Sequence, residues 1–219
     1  QSKIMEHKEQ LSQIKDIKEM MDKASRFSSL SGLAVIISGI LAVIGAFLIY
    51  SDMEFVLKGG KLISYSQLIN SEEGADGLER KIEFLLAVGS IILILSLFIT
   101  YLLSKRKARK EKAEFLNPTF LRATKALFIP VITGGIFSLL LINNQAIGMV
   151  APATLIFYGL GLINASKYTY SEVEILGYIE LILGIVASYF MGMGLLFWMI
   201  GFGISHIVFG IIMYFIYDR

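Results

Sequence analysis

Glu180 and His206 are the residues in this chain whose type and surroundings point to chemistry. Each is an ionisable side chain inside a long apolar run. Each is flanked by glycines at offsets of minus three and plus four: Gly177 and Gly184 around Glu180, Gly203 and Gly210 around His206. On a helix those offsets place all three residues on one face. The chain reverses near Gly192, so the two motifs meet at equal depth, glycine opposite glycine. Small residues let two helices approach closely. The spacing therefore predicts a carboxyl group and an imidazole side by side in the middle of an apolar layer. Two readings stay open. One is a hydrogen-bonded lock for the hairpin. The other is a site for a proton, an ion or a polar ligand, since a buried carboxylate and a buried imidazole perturb each other's titration. Tyr158, Asn164, Tyr178 and Ser205 are the nearest kinds of helper. In either reading Glu180→Gln or His206→Ala is expected to lower stability, because a buried polar group loses its partner.

The elements that must position the pair are legible from hydropathy. The chain has 219 residues, 55% of them hydrophobic, with a mean hydropathy of +0.68. A water-soluble domain has no place for so much apolar surface. About 20 apolar residues cross ~30 Å of hydrocarbon. Six such segments occur, at about 29–50, 82–104, 126–142, 146–164, 172–191 and 193–217. They read as helices, which satisfy their own backbone hydrogen bonds in lipid. The predicted fold is an all-α, polytopic membrane bundle of six transmembrane helices. Ser171 and Glu174 fit a capping box at the start of the fifth. Asn143-Asn144-Gln145 divides the third from the fourth. Pro130 and Gly134-Gly135 mark a kink or a close contact in the third, and Pro152 sits near the start of the fourth, where it is tolerated. Ser31, Ser38 and Gly45, at intervals of seven, form a packing seam on the first helix.

Charge sets the orientation. Residues 105–125 carry eight positive and two negative side chains, and 51–83 carry four positive and seven negative. Basic loops stay in the cytoplasm, so both termini are expected there. The domain plan is a cytoplasmic amphipathic helix over 1–28 and a six-helix domain over 29–219, with an extracytoplasmic cap at 51–81 and a basic cytoplasmic loop at 105–125. The 1–28 segment repeats apolar residues every three or four positions. It either lies on the membrane or packs on the rest of the protein, or it joins protomers in a short coiled coil. No cleavable signal peptide is expected. The basic stretch is expected to continue the second helix to about Asn117-Pro118. There Lys105, Arg106, Lys107, Arg109, Lys110 and Lys112 would face anionic lipid head groups. Nucleic acid is not an expected partner.

Other chemistry finds little footing. The chain has no cysteine and only two histidines, which removes thiol chemistry and any multi-histidine metal site from one chain. No phosphate-binding glycine loop, zincin motif or nucleophile elbow occurs. No cofactor is implied and the protein is not expected to be an enzyme. An intramembrane hydrolase is the remote alternative, with His206 as base.

Three stretches carry a family likeness: Leu162-Ile163-Asn164-Ala165-Ser166-Lys167-Tyr168, the segment from Glu174 to Gly184, and Gly201-Phe202-Gly203-Ile204-Ser205-His206. Together with Ser31-Gly32-Leu33 and the charged N-terminus, they resemble a group of six-helix inner-membrane proteins of Bacteroidota-type bacteria to which no activity is assigned. The resemblance implies topology and the bacterial inner membrane, and adds no mechanism. The leading functional expectation is a non-catalytic scaffold or accessory membrane subunit that self-associates. The alternative is a small transporter, channel or proton-linked sensor built around Glu180 and His206.

Overall fold

The structure, a computed structural model, describes residues 27–52, 74–190 and 192–218. The helix expected over 1–28 lies outside these residues except for 27–28, and so does the stretch 53–73 of the cap expected over 51–81, whose last residues form the start of the second helix. Among the described residues all regular structure is helical. The helices are α1 Gly32–Asp52, α2 Gly74–Lys110, α3 Pro118–Asn143, α4 Ile147–Ser166, α5 Glu172–Tyr189 and α6 Gly194–Asp218. Five of them, α1 to α4 and α6, are long and apolar enough to cross a membrane. α5 has 18 residues, and Glu172, Glu174 and Glu180 lower its hydropathy. Its outward face is nevertheless oily: Ile175, Ile179, Ile182 and Ile185 are all exposed.

Local chemistry explains most boundaries. Asn117 accepts a hydrogen bond from the Phe120 amide at 2.7 Å and Pro118 follows in the first turn. This is an N-cap with a pre-organised first residue. The pair therefore opens α3 instead of closing α2, which ends earlier, at Lys110, where Lys112 turns the chain with φ +55°. Between α3 and α4 the expected polar turn forms, with Gln145 at φ +60°. Gly192 reverses the chain between α5 and α6 at φ +97°, a conformation open to glycine. α5 starts where predicted, but the capping box does not form. Ser171 already has helical angles (φ −63°, ψ −28°), so its hydroxyl turns to Glu172 Oε2 at 3.3 Å. α3 runs through Pro130, and Gly134 presses on the Phe157 side chain of α4, so this glycine is a close contact.

Two seams bring backbones together. In the first, α1 lies antiparallel to α6. A Cβ on Gly39 would stand 2.7 Å from the Gly203 carbonyl, and one on Gly210 would stand 2.9 Å from the Gly32 carbonyl. In the second, α4 lies against α5. A Cβ on Gly159 would stand 2.7 Å from the Gly177 carbonyl, and one on Gly184 would stand 2.9 Å from that of Pro152. The expectation that Gly177 and Gly184 face Gly210 and Gly203 is corrected. All four are packing glycines, but each motif has a different partner. The α5 motif docks on α4, which supplies Gly159, and the α6 motif docks on α1, which supplies Gly32 and Gly39. On α1, Gly45 faces Ile92 and Val88 of α2, Ser31 is buried at the helix entrance and Ser38 is half-buried.

The seams gather the helices into two groups, α2–α1–α6 and α3–α4–α5. Between the groups lies a core of larger side chains: Leu162, Val173 and Leu176 on one side, Phe209 and Met213 on the other. α2 leans mainly on α1 and leaves Ile91, Ile94 and Phe98 exposed.

Candidate functional site

α5 turns one face inward, built from Val173, Leu176, Gly177, Glu180, Gly184 and Ala187. The spacing of three and four keeps them on one stripe, and Glu180 at its centre is 0% exposed. α6 approaches through an unusual stretch. Over Met199–Ser205 its turns widen to π-helical winding before α-helix resumes at His206. Such segments are rare and recur at functional sites.

The pair predicted from spacing does come together. His206 Nδ1 lies 3.4 Å from Glu180 Oε1. The glycine-to-glycine approach imagined for the hairpin is not the cause. Gly201 is the residue that admits the carboxyl group: a Cβ there would run into Glu180 Oε2 and stand 2.6 Å from the Leu155 side chain. Gly201 also holds the imidazole, since its carbonyl lies 3.0 Å from His206 Nδ1. A carbonyl only accepts, so Nδ1 carries the hydrogen. In the neutral ring Nε2 is then an acceptor, and the Tyr158 hydroxyl, 2.9 Å away, donates to it. Tyr158 and Phe202 flank the ring, with centroids 5.5 Å and 5.9 Å from it. Trp198 packs against Phe202 in turn.

Glu180 is left in an unusual state. Its carboxyl group is fully buried, and among the described residues neither oxygen meets a hydrogen-bond donor. The Nδ1 hydrogen points to Gly201 instead. Buried polar groups are nearly always satisfied, and an unsatisfied one is costly.

Of the four helpers expected from sequence, one reaches the pair. Tyr158 does. Tyr178 is exposed and donates to Glu174 Oε1 at 3.2 Å. Asn164 is exposed on the outer side of α4. Ser205 adjoins His206 without being among its hydrogen-bond partners. Gly201 carried no helical-period signal, because a residue five positions before His206 reaches its ring only where the helix is widened.

A second polar cluster sits at the end of the bundle where α1, α3 and α5 begin and α2, α4 and α6 finish. Lys107 was expected to face lipid head groups. It is buried instead, with its side chain 9% exposed and Nζ 2.7 Å from Asp218 Oδ1. Its Nζ also donates to the Leu30 carbonyl at 3.1 Å and to the Tyr170 hydroxyl at 3.2 Å. The reason is helical phase: Lys107 shares the inward face of α2 with the buried Ser104 and Ala108. The other carboxylate oxygen of Asp218 accepts from the Gly32 amide at 2.8 Å and the Ser31 hydroxyl at 3.2 Å. Asp218 thus caps α1 from the far end of the chain, where the helix dipole favours a negative charge. Tyr170 in turn donates to the Ser28 carbonyl, and burial pushes its phenol above the ordinary range. Lys105 lies over the Tyr101 ring, while Arg106, Arg109, Lys110 and Lys112 are exposed.

Compared with known proteins, the chain matches no protein-family model, no curated protein and no solved structure. The class of protein rests on its helices: an all-helical protein with several helices suited to a membrane. Among the described residues no three His, Asp or Glu side chains gather at one point. The donor set at the site is one carboxyl, one imidazole, one phenol and one backbone carbonyl.

Proposed function

We propose that this is a six-span protein of the bacterial inner membrane, of the kind the sequence resembles, and that it exchanges a proton at Glu180 as a small transporter or proton-linked sensor. α5 is taken as the sixth span. Its oily outer face supports this, as does a length of about 27 Å, close to the hydrocarbon thickness. The basic end of the bundle, with both termini, is assigned to the cytoplasm by charge. There the outward-facing Arg106, Arg109, Lys110 and Lys112 would meet anionic lipid.

The single observation that carries the function is the fully buried carboxyl group of Glu180, without a hydrogen-bond donor among the described residues and 3.4 Å from an imidazole already engaged at both nitrogens. A pair that served only to lock two helices would be expected to satisfy its own polar atoms. A carboxyl group held without donors is arranged to gain and lose a proton, and His206 and Tyr158 form a hydrogen-bonded chain next to it. The scaffold reading leaned on the amphipathic N-terminus, which lies outside the described residues, and on glycine seams as assembly surfaces. The seams are filled within the chain, and this supports the proton-linked reading. No catalytic role is proposed, since the hydroxyl beside His206 is a phenol that donates to it.

The test is infrared difference spectroscopy of the protein in lipid across a pH step, paired with proton uptake into proteoliposomes. The parent protein should show a carboxyl C=O band that vanishes in Glu180→Gln, with uptake lost in the same variant. Identical spectra and identical uptake in both would refute the proposal.

A further inference from the structure

The two helix groups differ in how they are held. Within each, backbones touch: Gly39 on Gly203 and Gly210 on Gly32 in one, Gly159 on Gly177 and Gly184 on Pro152 in the other. Backbone in contact with backbone leaves such seams little room to slide, while α2 packs on α1 through Ile92 and α3 on α4 through Phe157. Between the groups the contact is made by long side chains, Leu162, Val173 and Leu176 against Phe209 and Met213. Interfaces of that kind shift by rotamer changes while the packed units stay intact. The relay straddles this boundary. His206 belongs to α2–α1–α6, whereas Glu180 and Tyr158 belong to α3–α4–α5.

The boundary is closed differently at its two ends. At the basic end it is tied by polar bonds. Lys107, bound to Asp218, reaches across to the Tyr170 hydroxyl at 3.2 Å. Tyr217 donates to Glu172 Oε1 at 2.8 Å. The segment leading into α1 adds two more, from the Phe27 amide to the Tyr168 carbonyl at 2.7 Å and from the Thr169 hydroxyl to the Phe27 carbonyl at 2.9 Å. At the opposite end Gly194 lies against Ala151, and the short turn through Gly192, closed by a bond from the Met193 amide to the Phe190 carbonyl at 3.1 Å, joins α5 to α6.

We propose that the two groups are the moving parts of the protein, rocking about the turn at Gly192 that joins α5 to α6, and that the Lys107–Asp218–Tyr170 clasp is the gate that holds the basic end shut. The described conformation is the one closed at that end. Opening it would part His206 from Glu180 and Tyr158 and give the relay access to one side of the membrane, as alternating access requires. The purpose of the gate rests on the proton-exchange reading; the motion is tested independently of it.

The chain has no cysteine, so spin-label pairs can be placed in the full-length protein in lipid. One pair, Arg109→Cys with Lys167→Cys, spans the boundary. The other, Lys125→Cys with Lys167→Cys, lies within one group. All three positions are exposed. In Lys107→Met the boundary-spanning distance should lengthen and broaden while the within-group distance stays put. Should Lys107→Met fail to fold, Tyr170→Phe removes only the hydroxyl that joins Lys107 to the second group and should give the same change. A boundary distance that does not move overturns the gate, and equal changes in both pairs reduce the clasp to a fold-wide support. A fixed distance with uptake still lost in Glu180→Gln defeats the rocking alone. A moving distance with uptake unaffected by that substitution defeats the proton reading alone.

Discussion

α6 carries two polar clusters, at His206 and at Asp218, twelve residues apart, and they are built on opposite rules. At Asp218 both carboxylate oxygens are bonded, one to Lys107 and one to Ser31 and Gly32. At His206 the imidazole is bonded at both nitrogens, but the adjacent Glu180, 3.4 Å away, has no hydrogen-bond donor for either oxygen among the described residues. A buried charge that is fully paired holds helices together. A buried carboxyl group without hydrogen bonds adds little to that hold. Under the proposed function, the contrast is that between a fastening and a proton-exchange site within one helix.

The strongest way to break the contrast is Asp218→Ala. It strips Lys107 of its 2.7 Å partner, leaving Glu111 at 3.9 Å as the remaining acid, and takes the cap from α1, so stability should fall by about 3 kcal/mol. Thermal unfolding in lipid nanodiscs measures this, and a melting temperature equal to the parent's would mean the clasp is no fastening. Next in size is Gly201→Ala. The new methyl group overlaps Glu180 Oε2 and the Leu155 side chain, an overpacking cost of about 1–3 kcal/mol, with the carboxyl group pushed away from His206. The infrared carboxyl band should shift in frequency; an unshifted band at full stability would remove Gly201 from the site. Tyr158→Phe deletes one hydrogen bond to Nε2, worth about 1 kcal/mol, and should slow proton uptake without abolishing it. Uptake at the parent rate would exclude the phenol from the relay. The smallest stability effect belongs to Glu180→Gln. Since neither oxygen accepts a bond, the amide should change unfolding by under about 1 kcal/mol while removing the titrating group. A loss as large as that of Asp218→Ala would place Glu180 among the fastenings and erase the distinction. This revises the stability loss expected from sequence, which assumed a bonded pair.

Hydropathy placed four of the six helices within a few residues, because an apolar layer imposes length and composition on every segment that crosses it, whereas α2 and α3 begin well before their apolar runs, at Gly74 and Pro118. It also placed Glu180 and His206 opposite one another, because a short reversal at Gly192 makes depth a matter of counting. Helix entry at Glu172 was legible, although the hydroxyl at Ser171 does not cap it. The start of α3 was misjudged, since Asn117-Pro118 serves equally well to end one helix or begin the next until a neighbour decides. Lys107 read as one more cation in a basic run, and only its phase on α2 against α1 and α6 sets it apart.

The amino-acid sequence by itself determined the helices, their alternation and the acid and imidazole at a common depth, all of which follow from one-dimensional spacing. Which glycine meets which, that Gly201 makes room for Glu180, and that Asp218 reaches back to α1 were decided only by the tertiary structure. Those contacts join residues far apart in the chain, and any glycine face fits several neighbours of similar shape. The choice among them belongs to the packing of the whole bundle.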